Sequence, residues 1–346
     1  MPSRWPWHRI VIGAMGPVAL VVIGLQIYLN VVSYRRHFAE GEVLAETMAR
    51  VVGDQTQRSL QSVFLVLDAV QADGAGLRGD LDHEAVKSRI RSVPEIRGLY
   101  LVDPSGRVLD STLSAHDLGL SVGDHDYIQT LRRDDGPMFA LGKPVTRRYL
   151  AGPVQPALAF MPLAVRLPDQ SGYLVAAVNI SFLELQYQPM LHSNGVAVSL
   201  MTFDGTVLMD SARVWYPGLV VARDDPIFNS YLPHKEAATF TRAPVNGRAS
   251  EIVSFGVTRS FPVVVVTSIA VEDLQNGWRR SILPTLIPTI ISVGLVLMAF
   301  GILARQFRQI VNQERDLRAS RDAAEAASSA KSRFLAVMSH EIRTPM

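Results

Sequence analysis

The chain has 346 residues, and its 34 Lys and Arg nearly balance its 32 Asp and Glu, for a formal net charge of +2. Nucleic-acid-binding proteins usually carry a strong basic excess, so this balance argues against that class. Cysteine is absent, which excludes a disulfide framework, a thiolate zinc site and a cysteine nucleophile. The mean hydropathy of +0.17 is high for a soluble protein and directs attention to apolar segments.

Two uncharged apolar runs, 10–32 and 282–304, are each long enough for the roughly 20 residues that a membrane-spanning helix needs. The alternatives are a cleaved signal peptide for the first run and a buried core helix for the second. The first run is long for a signal peptide, and the SYRRHFAEGEV that follows offers no A-x-A cleavage site. We therefore predict two transmembrane helices, the second with Pro284 and Pro288 near its start. Arginines flank both runs, so the positive-inside rule does not fix the orientation.

Between the runs, the elements begin with a long helix. Apolar residues recur at helical spacing over 34–72 without a proline, and a glycine-rich stretch, ADGAGLRGD, ends the pattern. A hairpin follows, with strands at 99–102 and 108–109 around the turn Asp103-Pro104-Ser105-Gly106. Residues 124–133 predict a short helix, and MFALG, ALAFMPLAV and GYLVAAVNIS predict three strands.

The plan then recurs. VAVSLMTFDGTVLMDS predicts a second hairpin, a polar helical stretch follows, and strands are predicted at 237–241, 250–257 and 263–269. The two hairpin segments have the same order of features at similar spacing: an apolar run, a turn, Val-Leu and Asp-Ser. The segments are LYLVDPSGRVLDS and SLMTFDGTVLMDS. We predict two α/β units of similar plan in tandem; two ordinary hairpins would give the same short likeness.

This arrangement resembles the double Cache (PAS-like) sensor domain of bacterial receptors. Three stretches carry the resemblance: VGDHDYIQTL; GPMFALGKPVT through GYLVAAVNISFLELQY; and SFPVVVVTSIAVEDLQNGWRRSI. It implies an α+β fold, with a membrane-anchored tandem PAS-like sensor over 33–281 between transmembrane helices at 10–32 and 282–304. Residues 1–9 would then form a cytoplasmic N-terminus.

The same resemblance implies a small-molecule site in the first unit. The matching positions are His125, Asp126, Tyr127, Arg147, Arg148, Tyr149, Phe160 and Asn179. An arginine could hold a carboxylate, and a tyrosine could close over it. His125 and Ile128 stand where the family often has Arg and Phe, so the resemblance does not decide whether the ligand is acidic. The alternatives also stay open: Arg147 and Arg148 as a solvated loop, Asp126 as a helix cap, Tyr127 as core. The histidines show no metal-ligand spacing, and no metal site is expected.

The segment after the second run predicts one long helix. From 305 to 344 there is no Pro or Gly, and apolar residues recur at helical steps, as in a helix that pairs in a homodimer. At about 100° per residue, His340 falls opposite the apolar seam and should face solvent. The zinc-protease pattern H-E-x-x-H is excluded because Thr344 occupies the second histidine position. A plain surface histidine and a phospho-acceptor remain.

FLAVMSHEIRTPM, within 332–346, resembles the H-box of sensor histidine kinases of two-component systems. The resemblance implies that His340 accepts a phosphoryl group from ATP and Mg²⁺, that Glu341 assists, and that Thr344 positions water in the reverse reaction. It implies transfer to an aspartate of a response regulator. It places this end in the cytoplasm, the signalling helix at 305–331, and the sensor outside the bacterial inner membrane.

No nucleotide-binding loop is present, so a truncated chain, inactive on its own, is expected. Three alternative hypotheses combine the same sensor domain with a different output: the protein would be a non-catalytic receptor, a diguanylate cyclase, or a decoy dimer partner.

Overall fold

The computed structural model describes residues 7–74, 80–133, 136–168, 170–192, 195–221, 225–243 and 250–342. The chain divides into two compact parts, residues 35–277 and the residues on either side of that range. Five helices are numbered here in chain order: α1 (Trp7–Ala72), α2 (His83–Ile90), α3 (Asp126–Arg132), α4 (Ile180–His192) and α5 (Val271–Ile342).

Residues 35–277 contain two five-stranded antiparallel sheets. The strands of the first sheet are β1 (Ile96–Val102), β2 (Val108–Ser111), β3 (Phe139–Leu141), β4 (Phe160–Arg166) and β5 (Tyr173–Asn179). Those of the second are β6 (Val196–Thr202), β7 (Val207–Asp210), β8 (Ala237–Arg242), β9 (Glu251–Val257) and β10 (Val263–Ala270). The spatial orders, β2-β1-β5-β4-β3 and β7-β6-β10-β9-β8, are the same, so the predicted tandem repeat is confirmed.

The repeat extends to the hairpins. In each hairpin the register shifts at one place, between Leu101 and Val102 in the first and between Leu200 and Met201 in the second. Gly106 and Gly205 follow in the two turns with positive φ angles of 92° and 77°, which only glycine adopts readily. The predicted hairpins are therefore confirmed, down to an equivalent irregularity in each.

The central strands are buried on both faces because helices or loops cover each side. Along β5, Leu174, Ala176 and Val178 face the core shared with α1, whereas Tyr173 and Val175 face a separate cluster with α3. This alternation follows from the two-residue period of a strand. In the second sheet, Val263 and Val265 of β10 pack in the α1 core, and Val264 and Val266 pack in a third cluster. The first sheet therefore presents one covered face to α3, where the candidate site lies.

The apolar runs differ from the prediction in one respect. Helix α5 begins at Val271, so Pro284 and Pro288 lie inside it and not near its start. Among the described residues, one helix, Val271–Arg333, contains a stretch that is long and apolar enough to cross a membrane. The predicted span at 282–304 lies in that helix. The span at 10–32 lies in α1 and stays a prediction.

Candidate functional site

Helix α3 carries three of the predicted ligand residues. His125 occupies the N-cap position and makes no side-chain capping bond, and its ring meets that of Tyr127 edge to face, with 5.5 Å between centroids. Partial burial lowers the pKa of His125 although Asp126 and Asp124 oppose it, so the imidazole is expected to be neutral near pH 7.

Tyr127 is only 2% exposed and packs in the cluster between α3 and the first sheet. The pKa of its hydroxyl is raised well above the usual range by burial and by the Asp126 carboxylate. A Cβ at Gly142 would lie 2.3 Å from the Tyr127 ring, so the loop after β3 closes tightly on it. The structure thus places Tyr127 as a core residue of this unit, one of the two readings open from the sequence.

Asp126 joins α3 to the same loop. Its carboxylate accepts hydrogen bonds from the Lys143 amide, the shorter at 3.0 Å, and from the Tyr127 amide at 3.0 Å. The Lys143 ammonium lies 3.9 Å from the carboxylate of Asp204, in the turn of the second hairpin. Lys143 therefore contacts both an α3 residue of the candidate site and the second sheet.

The predicted arginine loop consists of Arg147, Arg148 and Tyr149. Arg147 and Arg148 are exposed, and the Arg148 guanidinium lies over the Tyr149 ring, 5.4 Å from its centroid, as in a cation–π contact. Arg147 donates a long hydrogen bond of 3.5 Å to the Leu150 carbonyl.

Arg97 of β1 brings two of the predicted residues together. Its guanidinium donates to the Asn179 side-chain oxygen at 3.0 Å, to the Leu158 carbonyl at 2.6 Å and, weakly, to the Arg148 carbonyl at 3.4 Å. Partial burial, together with the positive charge of Arg148, lowers the pKa of Arg97. Among the described residues, Arg97 forms no ion pair with a carboxylate. A half-buried cation with neutral acceptors only is suited to receive an anionic group.

A buried carboxylate lies across the same face of the sheet. Asp117 is 0% exposed, and its two oxygens accept from the Tyr100 hydroxyl at 3.1 Å and the Ala151 amide at 3.0 Å. Burial and the neighbouring Asp117 raise the pKa of Tyr100 far above its usual range, so its hydroxyl stays a donor. Tyr100 also packs with Phe160, at 6.3 Å between ring centroids.

Sequence reasoning missed Arg97, Tyr100 and Asp117. For Arg97 a signal exists: a lone arginine in the apolar strand IRGLYLV is unusual unless its charge has a use. For Asp117, in the loop SAHDLGL, no local pattern announces burial. With these residues, the first unit offers cationic donors from Arg97 and Arg148, an acceptor at Asn179 and a fixed carboxylate, which suits a small polar ligand. Among the described residues, no cluster of three His, Asp or Glu could hold a metal ion.

The predicted phospho-acceptor segment lies at the end of α5. His340 and Glu341 are helical in backbone, and the helix includes Ile342. Leu335, earlier in the segment, is exposed. Thr344 and Pro345 lie outside the described residues. The helix from 305 onward is exposed along nearly its whole described length.

Comparisons with known proteins agree with this structure. The extracellular domain of rpHK1S-Z16, assigned as a histidine kinase, superposes with a TM-score of 0.58 over 70% of this chain and 99% of that one, at 16% identity. An extracellular ligand-binding receptor from Desulfohalobium retbaense gives a TM-score of 0.50 over 64% of this chain and 39% of that one, at 12% identity. No family profile matches the chain.

In sequence, the chain is 62% identical over 39 residues to the sensor histidine kinase AruS of Pseudomonas aeruginosa. The matched segment is 11% of this chain and spans 4% of AruS. The chain therefore has the fold of these extracellular domains and shares a segment with a sensor histidine kinase, and the predicted resemblance is confirmed. With the apolar helix, this fold indicates a membrane protein.

Proposed function

We propose that the chain is the receptor part of a transmembrane sensor histidine kinase that works as a homodimer. The observation that carries the proposal is the segment FLAVMSHEIRTPM, whose histidine lies on a long exposed helix that begins directly after a sensor fold. The similarity to AruS and the fold of a histidine-kinase extracellular domain support it.

In this proposal the chain's own residues prepare the acceptor. A neutral imidazole is a nucleophile, and a histidine with an ordinary pKa of about 6.5 is mostly neutral at pH 7. The adjacent Glu341 would hold the ring or take its proton. ATP with Mg²⁺ would supply the phosphoryl group from a separate catalytic domain, since these residues contain no phosphate-binding glycine loop. An aspartate of a response regulator would receive the phosphoryl group next. Thr344 would position the water that removes the phosphoryl group in the reverse reaction.

The signal would be a small molecule bound in the first unit, outside the bacterial inner membrane. Arg97 and Arg148 would hold an acidic group, and the Asn179 side chain would bond a polar group beside it. The buried Asp117 would position Tyr100 and the loop at Ala151 around the ligand. Residues His125, Asp126, Tyr127, Arg147 and Tyr149 would shape the surrounding loops. This site supports a ligand with both acidic and donor groups more than a purely apolar one.

The test of the function is phosphate acceptance. Membranes that hold the full chain are incubated with labelled ATP, Mg²⁺ and the catalytic domain of a histidine kinase. We expect acid-labile label on the chain and none on the His340→Gln variant, because glutamine keeps the size and polarity but has no nucleophilic nitrogen. His234→Gln, at an exposed histidine of the second unit, is the matched control and should label like the parent. Label that persists on His340→Gln would refute the assignment.

A further inference from the structure

The sequence Trp278-Arg279-Arg280 precedes the apolar run 282–304, and α5 continues through it without a break. Both arginine side chains are exposed. Their helical neighbours three and four residues earlier, at 275, 276 and 277, are Gln, Asn and Gly, and later ones are apolar, so the helix offers no carboxylate to pair with them. Within the described ranges neither arginine forms an ion pair. Two uncompensated cations thus lie within one turn of the apolar run.

Trp278, the residue before the two arginines, makes an aromatic contact. Its ring packs edge to face on Tyr34 of α1, with 5.2 Å between centroids and an interplanar angle of 82°. This contact fixes the turn of α5 that carries Arg279 and Arg280 against α1.

We propose that Arg279 and Arg280, held in place by the Trp278–Tyr34 contact, form a site for the headgroup of an anionic phospholipid, in the leaflet at the N-terminal end of the span. Guanidinium groups bind phosphate oxygens in a bidentate manner, which a zwitterionic headgroup with its own cation satisfies less well. Trp and Tyr concentrate at the membrane–water interface, so the Trp278–Tyr34 pair is expected to hold this turn at the depth of the lipid headgroups. The adjoining apolar run holds the arginines at that depth, which makes a lipid the occupant.

The test uses the full chain, purified in mild detergent and reconstituted in nanodiscs of phosphatidylcholine with phosphatidylglycerol. Native mass spectrometry then counts the lipids that each variant retains. The parent is expected to retain phosphatidylglycerol in preference to phosphatidylcholine, and Arg279→Gln/Arg280→Gln to lose that preference by about fivefold for each arginine removed. Arg315→Gln/Arg318→Gln removes the same charge from exposed positions beyond the apolar run and should retain lipid like the parent.

Two results would overturn the proposal: equal phosphatidylglycerol retention by the parent and Arg279→Gln/Arg280→Gln, or equal retention of the two lipids by the parent.

Discussion

Gly172→Ala is expected to lower the free energy of unfolding of residues 35–277 by about 3–5 kcal/mol, from backbone strain and steric overlap together. Gly172 precedes β5 with a φ of 154°, in a region that residues with a Cβ rarely adopt. A Cβ built there lies 2.1 Å from the Val102 carbonyl oxygen. That oxygen belongs to β1, where Val102 pairs with Tyr173 of β5. Relief of the overlap therefore requires β1 and β5 to move apart.

Urea denaturation of residues 35–277, produced without the apolar segments, measures the effect. Gly119→Ala is the matched control: its φ of 78° is also positive, but no heavy atom lies within 4 Å of the added Cβ. It should cost only the left-handed strain, about 1–2 kcal/mol. Equal losses of unfolding free energy from the two substitutions would show that overlap with the Val102 carbonyl oxygen does not cause the effect of Gly172→Ala.

Arg242→Leu is expected to cost about 3–5 kcal/mol, because it leaves a buried carboxylate without its cation. The Arg242 side chain is 12% exposed and that of Asp225 is 7% exposed, and one guanidinium nitrogen donates to both Asp225 oxygens, at 2.8 and 3.0 Å. Glu251 lies 3.9 Å from the other nitrogen, so the arginine neutralises two acids at the end of β8.

The double variant Arg242→Leu/Asp225→Asn separates charge from packing. Asparagine can still accept the 3.0 Å hydrogen bond from the Ile227 amide, but it has no charge to leave buried, so much of the lost stability should return. Arg213→Leu removes an ion pair to Glu184 from a side chain that is 80% exposed and should cost less than about 1 kcal/mol. If the double variant were no more stable than Arg242→Leu, the buried charge would not be the cause.

Much of the sensor fold could be predicted from sequence because its signals are local. The turn Asp103-Pro104-Ser105-Gly106 marked the first hairpin. The structure shows why it works: the Asp103 carboxylate accepts from the Ser105 hydroxyl at 2.6 Å and the Arg107 amide at 2.8 Å. Partial burial alone would raise the pKa of Asp103, but these hydrogen bonds outweigh it, and the pKa lies below its usual range. In the second hairpin the carboxylate and hydroxyl exchange positions: Asp204 accepts from the Thr202 hydroxyl and, at 3.1 Å, from the Thr206 amide.

The candidate site was less predictable because its contacts join distant parts of the chain. Arg97 reaches Asn179 and the Leu158 carbonyl, and Asp117 reaches Ala151, so no window of sequence contains both partners. The second covered face of the first sheet also needed the structure, since a fully apolar strand does not show what covers it. The role of His340 as a phospho-acceptor rests on the sequence motif alone. The ligand of the candidate site in the first sheet stays a prediction.

The central claim is that the sensor unit and the histidine helix lie on opposite sides of a membrane. The absence of cysteine allows a direct test, because a single introduced thiol is the only one in the chain. Ser230→Cys lies exposed in the second unit, and Ser328→Cys lies exposed on α5 before His340. In sealed spheroplasts, a membrane-impermeant maleimide should label Ser230→Cys at once and Ser328→Cys only after permeabilisation. Labelling of both thiols in sealed spheroplasts, or of Ser328→Cys alone, would contradict the account.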